Sequence, residues 1–138
     1  TVDFNLECER EEDGRWLAEV PQLPGVLAYG ATADEAMAKA EVLALRVLAE
    51  RLEHGESRAH SIKIQLPRRE PVAVNKARRV LAALAELGWR IKRQSGSHRT
   101  LARDGWPDFV FAFHDGEEIG PKMLSRIARH TGLRPSDL

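Results

Sequence analysis

Residues 93–100 read RQSGSHRT and place one histidine between two arginines in a short segment rich in glycine and serine. Imidazole has a reference pKa of about 6.5, so His98 could accept or donate a proton near neutral pH. That property makes it a candidate general base or acid. A simpler interpretation is that His98 is only a polar residue at a strand turn. The segment alone leaves both interpretations open, and the elements around it have to position the side chain.

The elements on either side of this segment predict the order α-β-β-β-α for residues 75–138. Asn75 is a good N-cap residue, and an apolar stripe at helical spacing follows it until Gly88. Pro121 suits the first turn of a last helix, which Gly132 would end. Two helices on one face of a three-stranded antiparallel sheet form the layout of the double-stranded-RNA-binding domain (dsRBD). The predicted strands cover residues 89–94, 98–103 and 108–114.

Residues 1–66 predict the order β-β-β-α-β. Asp13-Gly14 is a hairpin turn signal, and Thr32 with Glu35 forms a capping box at the start of a helix that Gly55 ends. Alternation of apolar and polar residues indicates half-buried strands. These strands are predicted from Val2 onward and over residues 15–20, 26–30 and 61–66.

Residues 67–74, PRREPVAV, contain two prolines and no helical period, which indicates a connector. Eight extended residues reach about 26 Å, so two domains can lie side by side. We therefore predict an α+β protein with domains at residues 1–66 and 75–138.

The net charge of zero conceals opposite charges on the two halves. Residues 1–66 carry 7 Lys and Arg against 13 Asp and Glu, a balance of −6, whereas residues 67–138 carry 14 against 8, a balance of +6. A basic domain suits a polyanion such as RNA, although a split of this size also occurs by chance. Lys76 and Lys122 lie in the first turns of the predicted helices, and backbone N–H groups beside Lys122 also attract anions. The alternative for such cations is a solvated face.

Cys8 is the only cysteine, which excludes an internal disulfide and fits a reducing cytoplasm. No apolar run is long enough to span a membrane, and the first residues show no basic-then-apolar pattern, so we expect no signal segment. The Cys, His and Asp residues have no metal-ligand spacing, so we expect no metal and no cofactor.

Two stretches of the second half, LGWRIKRQSGSHRTL and FVFAFHDGEEIGPKMLSRIARHTGL, resemble the HicA family of small mRNA-cleaving toxins. The shared features are a helix ending in Gly-aromatic, a Gly-Ser-His loop, a later strand ending in histidine, and a second helix with a Gly-x-x-(Ser)-Ile-x-(Lys/Arg) pattern. The resemblance covers nearly all of residues 75–138.

The stretch VPQLPGVLAYGATADEAMAKA in the first half resembles the HicB antitoxins. It has their Leu-Pro-Gly turn, a strand, and a Gly-x-Thr-x-x-Glu-Ala sequence that opens the helix. The resemblance implies a partial RNase-H-like domain without nuclease activity. Val26 stands where a cysteine is frequent in the family, and the DNA-binding extension of many HicB proteins has no counterpart. The resemblance therefore gives no support for DNA binding.

The resemblance places the catalytic histidine of the HicA family at His98. Metal-independent RNA cleavage needs a base for the 2′-OH proton, an acid for the leaving 5′-oxygen, and cations for the phosphate. The implied phosphate contacts are Arg93 and Arg99, with a close backbone approach at Gly96 and a hydrogen bond from Ser97.

A fusion of this kind is expected to bind mRNA and to be inhibited by its own acidic half. The contact between the two domains can form within one chain or between neighbouring chains, so a homo-oligomer is possible. His114 is a candidate for the second proton-transfer group, although a structural role is favoured. Two alternatives remain open, namely an inactive RNA-binding or regulatory protein and a protein–protein scaffold.

Overall fold

A computed structural model describes residues 2–58, 62–65 and 75–138 and shows a mixed α+β chain. The connector predicted over residues 67–74 lies outside the described residues. The elements of the first half are β1 (Val2–Asn5), β2 (Glu7–Arg10), β3 (Trp16–Glu19), β4 (Leu27–Gly30), α1 (Ala33–Glu53) and β5 (Ile62–Gln65).

The first half contains one more strand than predicted, because the strand expected from Val2 divides at Leu6. β1 pairs in parallel with β5, whereas β2 starts the antiparallel sheet β2-β3-β4. Phe4, Leu6 and Cys8 are all buried, and Asp3 and Asn5 are exposed, so the predicted alternation is confirmed in β1. It fails in β2, where Glu9 is buried beside Cys8. Alternation reports which side of a strand is buried and contains no information about its pairing partner, so the division was not predictable from it.

Helix α1 begins at the predicted cap. The backbone N–H of Glu35 donates to Thr32 Oγ1 at 3.1 Å, and the Glu35 carboxylate accepts from the N–H of Ala31 at 3.2 Å. In a standard capping box this carboxylate accepts from the N–H of the cap residue itself, here Thr32; in this helix it accepts from the residue before it. The buried face of α1 is rich in alanine, which lets the helix lie close to the sheet; its apolar members are Ala36, Ala40, Ala44, Val47 and Leu48.

The second half contains the predicted α-β-β-β-α region, which fits a dsRBD-like fold. Its central sheet is the antiparallel meander β7-β8-β9. Its elements are β6 (Asn75–Lys76), α2 (Ala77–Glu86), β7 (Arg90–Ser95), β8 (His98–Arg103), β9 (Trp106–Phe111), β10 (Glu118–Ile119), α3 (Pro121–Thr131) and a final 3₁₀ turn (Pro135–Asp137).

The start of α2 differs from the prediction. Lys76, rather than Asn75, is the N-cap residue, and no side chain caps the helix. The reason is a tertiary contact: β6 pairs with β10, so Asn75 and Lys76 are in extended conformation directly before the helix. The backbone N–H groups of Ala77 and Arg78 donate instead to the carbonyls of Glu117 and Asp115, at 2.7 and 3.1 Å.

The loop predicted around His98 is shorter than expected. Ser95 pairs with His98 across the hairpin, which leaves only Gly96 and Ser97 in the turn. Gly96 has a φ of +57°, a conformation that glycine adopts without strain. His98 is therefore the first residue of β8, directly after the two-residue turn. At the other end of the second half, Gly132 ends α3 with a φ of +76°, as predicted.

The two halves share their apolar cores. Leu17, Leu27 and Tyr29 of the first half pack with the residues that α2, α3 and the second sheet bury. Val110 of β9 belongs in turn to the core of the first half, and its backbone N–H donates to Pro24 O at 2.8 Å. The halves are thus held together by apolar burial as well as by polar contacts.

Gly25 lies where the backbones of the two halves are in close contact, and it supplies a test of this contact. It has a φ of +89°, and a Cβ at this position would lie 1.8 Å from Val110 O. We expect Gly25→Ala to lower the free energy of unfolding by about 3 kcal/mol or more, through backbone strain and a clash with the other half. Urea unfolding followed by tryptophan fluorescence measures this change.

Gly14→Ala is the matched control, because Gly14 has nearly the same φ of +92° but only the end of Arg10 within 4 Å of the added Cβ. Its expected cost is about 1 kcal/mol, from backbone strain alone. Equal losses in the two variants would contradict a tight contact at Gly25.

Candidate functional site

His98 is buried against helix α1 of the first half. Its side chain begins at the first position of β8, and its Nε2 atom lies 2.9 Å from Oε2 of Glu50. Only 3% of His98 and 6% of Glu50 are exposed. The proton-transfer candidate of the second half is therefore paired with a carboxylate of the first half.

Arg93 binds the same carboxylate and a second one. Its Nε atom donates to Glu50 Oε1 at 2.6 Å, while Nη1 and Nη2 donate to the two oxygens of Glu56 at 2.9 and 2.6 Å. Lys92 Nζ also lies 2.8 Å from Glu56 Oε2. We call these five residues, His98, Arg93, Lys92, Glu50 and Glu56, the His98 cluster; a paired guanidinium and carboxylate is among the stronger polar contacts in proteins.

The basic groups of the cluster keep its carboxylates ionised. Burial opposes ionisation of Glu50, but the hydrogen bonds from His98 and Arg93 outweigh it and lower its pKa. The hydrogen bonds from Arg93 and Lys92 lower the pKa of Glu56 to about 2. Both carboxylates are therefore charged at neutral pH and complement the charge of Arg93.

The residues predicted to contact phosphate do not all lie next to His98. A depression of about 320 Å³ borders His98 and is lined by Gly96 from the turn and by Arg46 and Glu53 from α1. Ser97 lines a different pocket of about 380 Å³, which also includes His114. The structure thus brings Arg93 and Gly96 next to His98 and turns Ser97 towards His114.

Arg99 and Lys76 lie away from the cluster, beside the segment that follows β9. Arg99 Nη1 is 3.8 Å from Asp115 Oδ1, and Lys76 Nζ donates to Gly116 O at 3.3 Å. Among the described residues, no hydrogen bond or ion pair joins either of them, or Lys122, to His98. These predicted contacts therefore belong to other parts of the surface.

The N-terminus of α3, where Lys122 indicated an anion site, has a carboxylate of the first half against it. Glu11 Oε1 accepts from the Tyr29 hydroxyl at 2.8 Å, and that hydroxyl accepts from the N–H of Gly120 at 2.7 Å. Burial raises the pKa of Glu11, although Tyr29 and the amides of Met123 and Lys122 oppose the shift. A carboxyl group thus lies where the helix end favours an anion.

Arg126 forms a second buried charge cluster with the first half. Its Nε donates to Glu9 at 3.0 Å, and its Nη1 donates to Glu7 and Glu19, each at 2.6 Å. Glu19 is fully buried, and its other oxygen lies 3.4 Å from His130 Nε2. Burial opposes the charge of Arg126, but the hydrogen bonds that it donates to these carboxylates raise its pKa.

The acidic partners in both clusters were not predicted from the sequence, although one residue of each cluster shows a weak sequence signal. Glu50 lies seven positions after Leu43 and three after Val47, at the edge of the apolar face of α1. Arg126 lies three positions after Met123 and directly before Ile127, so it falls on the buried face of α3. A charged residue at an apolar position indicates a buried partner. It does not identify that partner.

The described residues contain no group of three or more His, Cys, Asp or Glu side chains placed to hold a metal ion. Cys8 is buried in the first half. Within the same part of the chain, no helix is long and apolar enough to cross a membrane.

Comparison with known families finds a match in the second half. The family model described as the HicA toxin of bacterial toxin–antitoxin systems matches residues 77–133, so the chain contains a HicA toxin family domain. No match to a HicB antitoxin model is found in the first half. No curated protein and no solved structure matches the chain.

Arg126 supplies a test of the second charge cluster. Arg126→Met is expected to lower the free energy of unfolding by about 3 to 5 kcal/mol, because it leaves the buried carboxylates of Glu9 and Glu19 without a counter-charge. Arg129→Met, on the exposed side of the same helix, should change it by less than about 0.5 kcal/mol. Urea unfolding of both variants measures the difference, and similar small losses would show that the cluster contributes little.

The depressed pKa of Glu56 predicts how acid affects stability. An acid whose folded pKa is about 2 instead of 4.5 stabilises the fold above pH 4.5, and this contribution is lost as the pH falls towards 2. We expect Glu56→Gln to lose less stability than the wild type between pH 6 and pH 3, by about 1 kcal/mol after allowance for solvent screening.

Urea unfolding at several pH values measures this difference, with Glu53→Gln as the control. Glu53 is an exposed carboxylate of α1 outside the ion pairs of the described residues. An acid response of Glu56→Gln identical to that of the wild type would contradict the pairing of Glu56 with Arg93 and Lys92.

Proposed function

Because residues 77–133 form a HicA toxin family domain, we propose that this domain cleaves mRNA and that residues 1–66 inhibit it as a HicB-like antitoxin domain of the same chain. The first half would then be a partial RNase-H-like domain without nuclease activity. Its parallel β1-β5 pair, antiparallel β2-β3-β4 sheet and helix α1 are compatible with that assignment. An mRNA substrate places the proposed activity in the cytoplasm.

The observation that carries this proposal is the contact between Glu50 and His98. A general base has to come within hydrogen-bond distance of the proton that it removes. Nε2 of His98 lies 2.9 Å from the Glu50 carboxylate, and the side chain is almost fully buried. A ribose hydroxyl cannot reach that nitrogen while α1 remains in place.

In the uncovered domain, His98 takes the proton of a ribose 2′-OH, and the 2′-oxygen attacks the adjacent phosphorus. The bond from phosphorus to the 5′-oxygen breaks, and this oxygen takes up a proton from an acid. Arg93 neutralises the charge that develops on the phosphate, and Gly96 lets the turn approach it. Arg99 and Ser97 are proposed to bind neighbouring phosphate oxygens.

The acidic residues of the first half also cover the proposed RNA contacts. Glu50 and Glu56 bind the guanidinium of Arg93, which is proposed to hold a phosphate. Glu11 lies at the end of α3, where Lys122 is proposed to bind another phosphate. Lys76 remains exposed and is proposed to contact RNA further along the strand. Carboxylates and phosphates compete for the same cations. The first half would therefore inhibit RNA binding by occupying these cations as well as by blocking access sterically.

Reversing the charge of the covering residues tests the proposal in the intact chain. The double variant Glu50→Lys/Glu56→Lys places like charges beside Arg93 and should expose His98. We expect this variant to cleave an mRNA fragment that the wild type leaves intact, and to arrest growth when it is expressed. Adding His98→Ala should lower its cleavage rate at least about 100-fold, since general base catalysis contributes that much.

The double variant Glu86→Lys/Asp104→Lys is the matched control. It changes the net charge by the same amount at exposed positions outside the His98 cluster, so it should remain inactive. Cleavage by the control, or cleavage that survives His98→Ala, would contradict the assignment. An opened variant that binds RNA without cutting it would favour the inactive RNA-binding alternative.

A further inference from the structure

Helix α1 presents an apolar stripe on the side opposite its buried face. Val42, Leu45 and Leu52 are large apolar side chains with 48%, 49% and 43% exposure. Ala38 and Ala49 are also exposed and lie between them in sequence. We call this stripe, Ala38, Val42, Leu45, Ala49 and Leu52, the α1 seam.

The spacing within the α1 seam alternates between four and three residues. This is the a/d pattern of a coiled coil, in which the apolar residues repeat every 3.5 positions and face a partner helix. Helix α1 contains 21 residues, so the helix is about 31 Å long. A helix with the same pattern is the chemical complement of such a seam.

The charges beside the α1 seam favour a second copy of this chain in parallel orientation. With Val42 and Ala49 at a positions, Asp34 and Glu41 occupy g positions, and Lys39 and Arg46 occupy e positions. In a parallel pair, each g residue faces the e residue five positions later in the other helix. Asp34 would then face Lys39, and Glu41 would face Arg46, twice each by symmetry. An antiparallel pair would instead bring e positions together, and these carry the like charges of Lys39 and Arg46.

These flanking charges are available for such pairs. Within the part of the chain that the structure describes, the side chains of Glu41 and Arg46 take part in no hydrogen bond or ion pair. Lys39 pairs with Glu35 at 2.8 Å, but both side chains are largely exposed. An exposed pair of this kind is weak, so Lys39 can exchange partners at little cost.

We propose that the α1 seam is a self-association surface on which two copies of the chain pair their α1 helices in parallel and in register. Each helix is already folded against its own sheet, so pairing does not incur the cost of helix nucleation. The contact includes three large apolar residues per copy, which predicts a dissociation constant on the order of micromolar. This inference does not depend on whether the chain cleaves RNA.

Sedimentation velocity of the intact chain between about 1 and 100 μM tests the surface, because that range brackets a micromolar constant. Leu45→Glu buries two charges at the centre of the seam and should raise the dissociation constant at least about 30-fold. Ile91→Glu is the matched control, since Ile91 is 56% exposed on β7 and lies outside the seam. It should leave the constant within about twofold of the wild type.

A charge exchange tests the parallel register. Glu41→Arg and Arg46→Glu should each weaken the dimer about threefold to tenfold, and the double variant should restore it, because the facing charges are again opposite. A wild-type chain that stays monomeric, or a dimer that survives Leu45→Glu, would overturn the proposal. A double variant that stays as weak as the single ones would overturn the parallel pairing.

Discussion

The pairing of buried cations with carboxylates across the two halves is the constraint on which the rest of the structure depends. Arg93 and Arg126 each carry a charge into a largely buried position and meet carboxylates of the first half at 2.6 to 3.0 Å. A charge that stays buried without a partner costs several kcal/mol, so the halves pack only in an arrangement in which each of these arginines meets its carboxylates. The position of α1 against β8, and with it the burial of His98, follows from this requirement.

Apolar burial and charge pairing have different roles in this interface. Leu17, Leu27 and Tyr29 of the first half are buried in the apolar core of the second half. Apolar burial of this kind supplies most of the free energy with which the two halves associate. Buried ion pairs contribute less net free energy but allow only one arrangement, because any other leaves charges unpaired. The opposite charges of the halves therefore select the register in which Glu50 reaches His98.

The sequence predicted what depends on local signals and missed what depends on contacts between distant residues. Helix α1 begins after Thr32 and helix α3 ends at Gly132, as expected, because capping involves residues that are neighbours in the chain. The start of α2 was wrong because β6 pairs with a strand about 40 residues away. The sequence was sufficient to select His98 as a candidate site residue. It was not sufficient to find its partner Glu50, which lies 48 residues away and is not related to His98 by any periodic pattern. Charge totals indicated that the halves attract each other and could not show which residues meet.

The set of carboxylates around Arg126 has a consequence for how the two halves can separate. When α3 withdraws, Glu9 and Glu19 either remain charged in apolar surroundings or must take up protons or water. A chain in which α3 has withdrawn but most of the shared apolar core remains packed would have these carboxylates buried and unpaired, and its free energy would be raised. Intermediate degrees of loosening are therefore sparsely populated, and dissociation is an all-or-none event. Under the proposed inhibition, such a chain would cleave little RNA while its halves are closed and would become active over a narrow range of conditions.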